Sequence, residues 1–160
     1  MKNLYQKKRE QGFTIIEVMI VLAIAGLIML IVFIAIPQLQ RNQRNTARQN
    51  IVGRIKTEID NYSANNRGKI PVNQTELSEI KTRYFTGINI DDPKTGTPML
   101  TDSSYNAGAP TSGVYTGTEG VVSYRDQRTC DGEKAASGTS RQYALWTILE
   151  GGSIYCVDNK

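Results

Sequence analysis

Val18 to Ile36 is a run of 19 residues without a charge. As a helix it is long enough to cross a bilayer, which needs roughly 20 apolar residues. Phe13, Ile15 and Ile16 extend it towards the N-terminus. The whole chain has 160 residues, room for one compact domain plus an extra element. A helix apolar on every side cannot be covered by so small a chain. Its surface needs lipid or the same helix from sister chains. A cleaved secretory signal has a shorter apolar core, of about 7–15 residues, followed by small residues. Ala23-Ile24-Ala25 fits that cleavage pattern, but a cut there leaves Gly26 to Ile36 as an apolar end.

The flanks of the run carry the charge. Lys2, Lys7, Lys8 and Arg9 precede it against one acid, Glu10. The net charge is +4, and without residues 1–12 it falls to +1. The basic balance thus describes the leader more than the body, and a nucleic-acid partner is not expected. Arg41, Arg44 and Arg48 follow the run at helical spacing. No aromatic residue interleaves them, so they read as a solvated or filament-lining face rather than a site for stacking bases. A short basic N-terminus favours an inside start with the C-terminal body exported.

Glu17 lies at the front of this segment, where an ionisable group is costly unless paired or wet. One reading keeps it at headgroup level, with the helix starting at Val18. The other supplies a cation. A cut between Gly12 and Phe13 creates a charged α-amino group four residues from Glu17. The acid then meets its own N-terminus or that of a neighbouring chain, and the pair sets axial register between packed helices.

The stretch Lys7-Lys8-Arg9-Glu10-Gln11-Gly12-Phe13-Thr14-Ile15-Ile16-Glu17, with the apolar run behind it, resembles the class III signal of type IV pilins and pseudopilins. The resemblance implies a prepilin peptidase cutting after Gly12 on the cytoplasmic side. It also implies N-methylation of Phe13 and docking of the incoming subunit through Glu17. Gly26 falls where the family tends to carry glycine. The sequence departs from the family at proline. Pilins often have one eight residues after that glycine, whereas the first here is Pro37, eleven residues on. Proline removes a helical hydrogen bond and clashes with the preceding turn. A kink or unwound stretch is therefore expected near Phe33 to Pro37.

Beyond Pro37, Ala47, Ile51, Ile55, Ile59 and Tyr62 mark one face of an amphipathic helix. Asn65-Asn66-Arg67-Gly68 is a plausible stop. A continuous helix from Thr14 to Asn66 is roughly 80 Å long at about 1.5 Å per residue. A short capped helix is expected at Thr75 to Ile80, and a loop at Asp92-Pro93-Lys94-Thr95-Gly96-Thr97-Pro98. That loop faintly resembles the Asp-Pro loop of major pseudopilins. Asp91 and Asp92 read as a surface turn in preference to a calcium site, which needs more oxygen ligands. Thr101 to Gly120 reads as a long loop with room for short strands. Strands are expected at Gly120–Arg125, Gln142–Leu149 and Ile154–Val157, with a turn at Glu150-Gly151-Gly152-Ser153 and a polar, turn-rich Asp131 to Thr139. Trp146 sits inside a strand pattern and reads as core.

The chain divides by this reading into a leader at 1–12, a transmembrane or filament-core helix at 13–37, its amphipathic continuation at 38–66 and a globular head at 67–160. The fold class is α+β: a long N-terminal helix packed on a small antiparallel sheet, pilin-like. Cys130 and Cys156 read as one disulfide behind an export signal, or as two buried thiols in a chain kept in the cytosol. Their placement also resembles the C-terminal disulfide region of many type IV pilins. The sequence has no histidine, no nucleophile motif, no phosphate-binding loop and no metal-spaced cluster. An enzyme is not expected, nor a cofactor or a metal.

By resemblance the product is a structural subunit of a type IV pilus. It is membrane-held as a precursor, then surface-exposed in a bacterial filament serving adhesion, twitching motility or DNA uptake. Its partners are further copies of itself, the prepilin peptidase and the pilus assembly platform. The alternatives are a pseudopilin or minor pilin of a secretion or competence system, and an uncleaved, signal-anchored surface binding protein.

Overall fold

A computed structural model describes residues 12–105 and 112–160. The leader lies outside the described residues except for Gly12, as does part of the expected 101–120 loop. The chain forms two compact units, one ending at Gln40 and one running from Arg41 to Lys160. Helix α1 (Ile15–Asn65) contributes to both.

In the first unit α1 carries its apolar side chains on every face, all of them exposed. The stretch is long and apolar enough to cross a membrane. Leucine, alanine and methionine favour the helix, and its backbone groups are satisfied within the segment. The helix runs unbroken through Pro37. The expected unwound stretch is therefore absent from this subunit. Proline's fixed φ is compatible with helix, so its missing N–H deprives only the Phe33 carbonyl.

The second unit takes α1 from Arg41 onward. Ile51, Val52, Ile55 and Ile59 form the buried stripe that the 3- and 4-residue spacing implies. The helix stops where αL-tolerant residues begin. Arg67 and Gly68 have φ of 59° and 80°, and the Gly68 N–H donates to Ser63 O at 2.8 Å, closing the last turn. Helix α2 (Gln74–Tyr84) is longer than expected. The Asn73 side chain caps it by accepting from the Glu76 N–H at 2.9 Å, and it buries Leu77 and Ile80.

The strands are β1 (Gly113–Val114), β2 (Val122–Asp126), β3 (Arg128–Asp131), β4 (Lys134–Ser137), β5 (Tyr143–Ile148) and β6 (Ile154–Asp158). They form two antiparallel sheets, ordered β2-β5-β6 and β1-β4-β3. The first sheet holds the three strands expected from sequence. Val122, Tyr124, Tyr143 and Leu145 on one face share a core with the α1 stripe and α2. Its other face presents Ala144 and Trp146 to Tyr115 and Ala135. Helix, sheet and second sheet are thus three layers.

The second sheet corrects the expectation of a single one. Its strand β4 lies in the Asp131 to Thr139 segment read as polar and turn-rich, β3 ends where that segment begins, and β1 is a short strand in the expected 101–120 loop. In β4 only Ala135 is buried, so the alternation that marks a strand rests there on one small residue. Gly132, with φ of 61°, opens the two-residue loop between β3 and β4 at the position where such loops favour glycine. The expected turn between β5 and β6 is present. Gly151 and Gly152 have positive φ, and the Leu149 N–H donates to Ser153 O at 2.9 Å.

Candidate processing and assembly site

The expected junction is open. Gly12 and Phe13 are exposed, Phe13 to 90%. Among the described residues beyond Phe13, no atom lies within 4 Å of where a Cβ on Gly12 would stand. Helix α1 begins two residues later in a reciprocal cap. The Thr14 Oγ1 accepts from the Glu17 N–H at 3.3 Å, and Glu17 Oε2 accepts from the Thr14 N–H at 2.8 Å. The Thr14 hydroxyl adds a third bond by donating to the same carboxylate oxygen at 2.7 Å. The acid that sequence left without a partner in the uncut chain thus holds its own helix start. The signal was present: Thr14-Ile15-Ile16-Glu17 is a capping-box pattern ahead of an apolar run. Both members lie C-terminal to the Gly12–Phe13 bond, so cleavage leaves the box intact.

Farther along α1 lies a cluster that sequence reading missed. Arg48, read as part of a solvated face, is fully buried beside Asp92, and both side chains are only 1% exposed. Its Nε donates to Asp92 Oδ1 at 2.5 Å and its Nη2 to Asp92 Oδ2 at 3.1 Å. The same Nη2 reaches Glu119 Oε1 at 3.3 Å, and Nη1 stands 3.9 Å from Glu150 Oε1. Arg44 donates to both oxygens of Glu150 at 2.5 and 2.8 Å. Lys94 donates to Glu119 at 2.9 Å. Three cations and three carboxylates thus cancel one another.

Each carboxylate titrates below its ordinary value. Burial pushes Asp92 up, but bonds from Arg48 and Thr95 outweigh it. Hydrogen bonds from Lys94 hold Glu119 down, and those from Arg44 hold Glu150 down. Asp92 is therefore buried rather than part of a surface turn. The Asp92–Pro98 loop folds back on itself, with the Asp92 N–H donating to Thr97 O and the Gly96 N–H to Asp92 O, both at 2.8 Å. Gly120 has φ of 74°, and a Cβ there would stand 2.8 Å from the Asp92 carboxylate carbon, so the position accepts only glycine without displacement.

Cys130 on β3 and Cys156 on β6 are disulfide-bonded, with Cα atoms 5.9 Å apart, and join the two sheets. Trp146 is core. It stacks on Tyr115 with centroids 4.2 Å apart and donates to Thr116 O at 2.8 Å. Among the described residues no group of three or more His, Cys, Asp or Glu side chains is arranged to hold a metal ion.

The structure places Phe13, Glu17 and Pro37 on one N-terminal segment and both cysteines in the head. Phe13 and Glu17 line one apolar pocket with Val18, Val21 and Leu22. Residues 7–33 match the prokaryotic N-terminal methylation motif. This motif is characteristic of the class III signal peptides of type IV prepilins, so the chain is prepilin-like in that segment. The match takes in Gly12, Phe13 and Glu17 and none of residues 34–160. Comparison with curated proteins gave no match, and comparison with solved structures gave none.

Proposed function

We propose that this chain is the precursor of a type IV pilus subunit. A prepilin peptidase hydrolyses the Gly12–Phe13 bond, and the new amine of Phe13 is methylated. The α1 segment from Phe13 to Pro37 holds the subunit in the membrane. It then packs against sister helices in a filament, where apolar contacts replace lipid. Glu17 guides docking by neutralising a neighbour's N-terminus. The head forms the filament's outer surface, and the assembly platform moves subunits from one state to the other. Adhesion, motility and DNA uptake are then properties of the filament rather than of a site here.

One observation carries this reading: a helix exposed and apolar on every side begins within a methylation motif. The test is intact mass and N-terminal sequencing of protein sheared from cells. A chain starting at Phe13, heavier by one methyl group and lighter by two hydrogens for the disulfide, is expected. A chain starting at Met1 overturns the reading in favour of an anchored surface protein. Glu17→Ala is expected to abolish filaments while leaving membrane insertion intact. Unchanged filament yield would remove Glu17 from docking. A pseudopilin or minor-pilin role has the folded Asp92–Pro98 loop in its favour, and the disulfide favours a pilin. Abundance in sheared surface material separates them.

A further inference from the structure

Three arginines follow the apolar run, and the fold uses them differently. Arg44 is taken by Glu150 and Arg48 by Asp92. Arg41 is exposed and makes no hydrogen bond or ion pair among the described residues. Its helical neighbours three and four residues away are Pro37, Gln38, Arg44 and Asn45, so its own helix offers it no carboxylate. No acid occurs anywhere between Glu17 and Glu58. A sister helix packed in parallel near the same register presents the same acid-free stretch. Around Arg41 stand Gln38, Gln40, Asn42 and Gln43, all exposed and uncharged.

Spacing along the chain supplies the second half of the argument. Val18 to Ile36 rises about 28 Å as a helix, close to a hydrocarbon thickness of about 30 Å. Arg41 follows Ile36 by five residues, about 7 Å of further rise. The headgroup layer beyond the hydrocarbon is about 5–7 Å deep. A guanidinium at that depth faces phosphate, which its fork binds in a bidentate manner.

We propose that Arg41 binds a phospholipid phosphate while the subunit is held in the membrane. This rests on reading residues 13–37 as a membrane span. Arg44 and Arg48 tie the helix to the head, and Arg41 ties it to the lipid. Moving the subunit into a filament then breaks this contact.

The test uses the full uncut chain in an Arg9→Lys background, which removes the leader's guanidinium, with carbon-13 in its arginine guanidinium groups, in vesicles of phosphatidylcholine and phosphatidylglycerol. Protease protection first establishes whether the chain spans. Dephasing of the guanidinium carbon by lipid phosphorus is then measured by solid-state NMR. Wild type is expected to dephase, Arg41→Gln to lose most of the effect, and Arg54→Gln, an exposed arginine farther along α1, to retain it. No dephasing in a chain that spans, or full dephasing in Arg41→Gln, overturns the proposal. So does an arginine shift that grows with protein density without phosphorus dephasing, which assigns Arg41 to a neighbouring copy. A chain that does not span overturns the membrane reading itself, and this proposal with it.

Discussion

Arg48 and Asp92 share a site that excludes water, so each depends on the other's charge. Removing one partner of such a pair costs about 3–5 kcal/mol, because a buried charge is left uncompensated. Asp92→Leu is therefore expected to lower unfolding stability by that order, read from Trp146 fluorescence in denaturant. Arg48→Met combined with Asp92→Leu is expected to cost less than Asp92→Leu alone. A double variant worse than the single would remove the pairing argument. The same groups set an acid limit. Asp92, Glu119 and Glu150 all titrate below their ordinary values of 3.8 for Asp and 4.5 for Glu. Between the folded and ordinary values the unfolded chain binds more protons. Their stabilisation is thus complete above the ordinary range and lost as pH falls through the lower folded values. The denaturation midpoint is expected to hold from neutral pH to about pH 5 and then fall. A midpoint flat down to pH 3 would contradict this. None of it was legible in Arg44 and Arg48, since their acidic partners lie 44 to 106 residues away. By contrast, Glu17's bond to Thr14 is local and was written in a four-residue motif.

At the scale of elements, α1 tests the role of a late proline. Pro37 leaves the Phe33 carbonyl without its helical donor, yet the helix continues. Pro37→Ala is expected to stabilise α1 by roughly 3 kcal/mol, seen as a higher melting temperature of helical circular dichroism in micelles. An unchanged melt would mean that the proline costs this helix nothing. The strands show which patterns carry. β2, β5 and β6 were legible because valine, isoleucine, tyrosine and tryptophan concentrate there. β3 and β4 were not, because the paired positions they turn towards the first sheet are Cys130 and Ala135, too small to mark a face. α2 was foreseen from its cap, but its last turn, with Tyr84, was not.

For the molecule as a whole, the disulfide joins two layers whose shared core is small: Tyr115, Ala135, Ala144 and Trp146. The sequence separation of its cysteines is 26 residues, and a bond closing such a loop contributes roughly 3.5 kcal/mol in the chain-entropy model. Cys130→Ser with Cys156→Ser is expected to lose about that much and to expose Trp146 earlier in denaturant than the α1 core. Simultaneous loss of both would show one cooperative unit. Periodicity and local motifs were enough for the long helix, its apolar front, the buried isoleucine stripe and three strands. These depend on residues within a few positions of one another, where side-chain direction follows from backbone geometry. Long-range packing selects the one arginine of three that is buried, makes Asp92 its partner and lays a second sheet over Trp146. Those outcomes rest on contacts between distant segments, and no local pattern encodes which acid a given arginine meets.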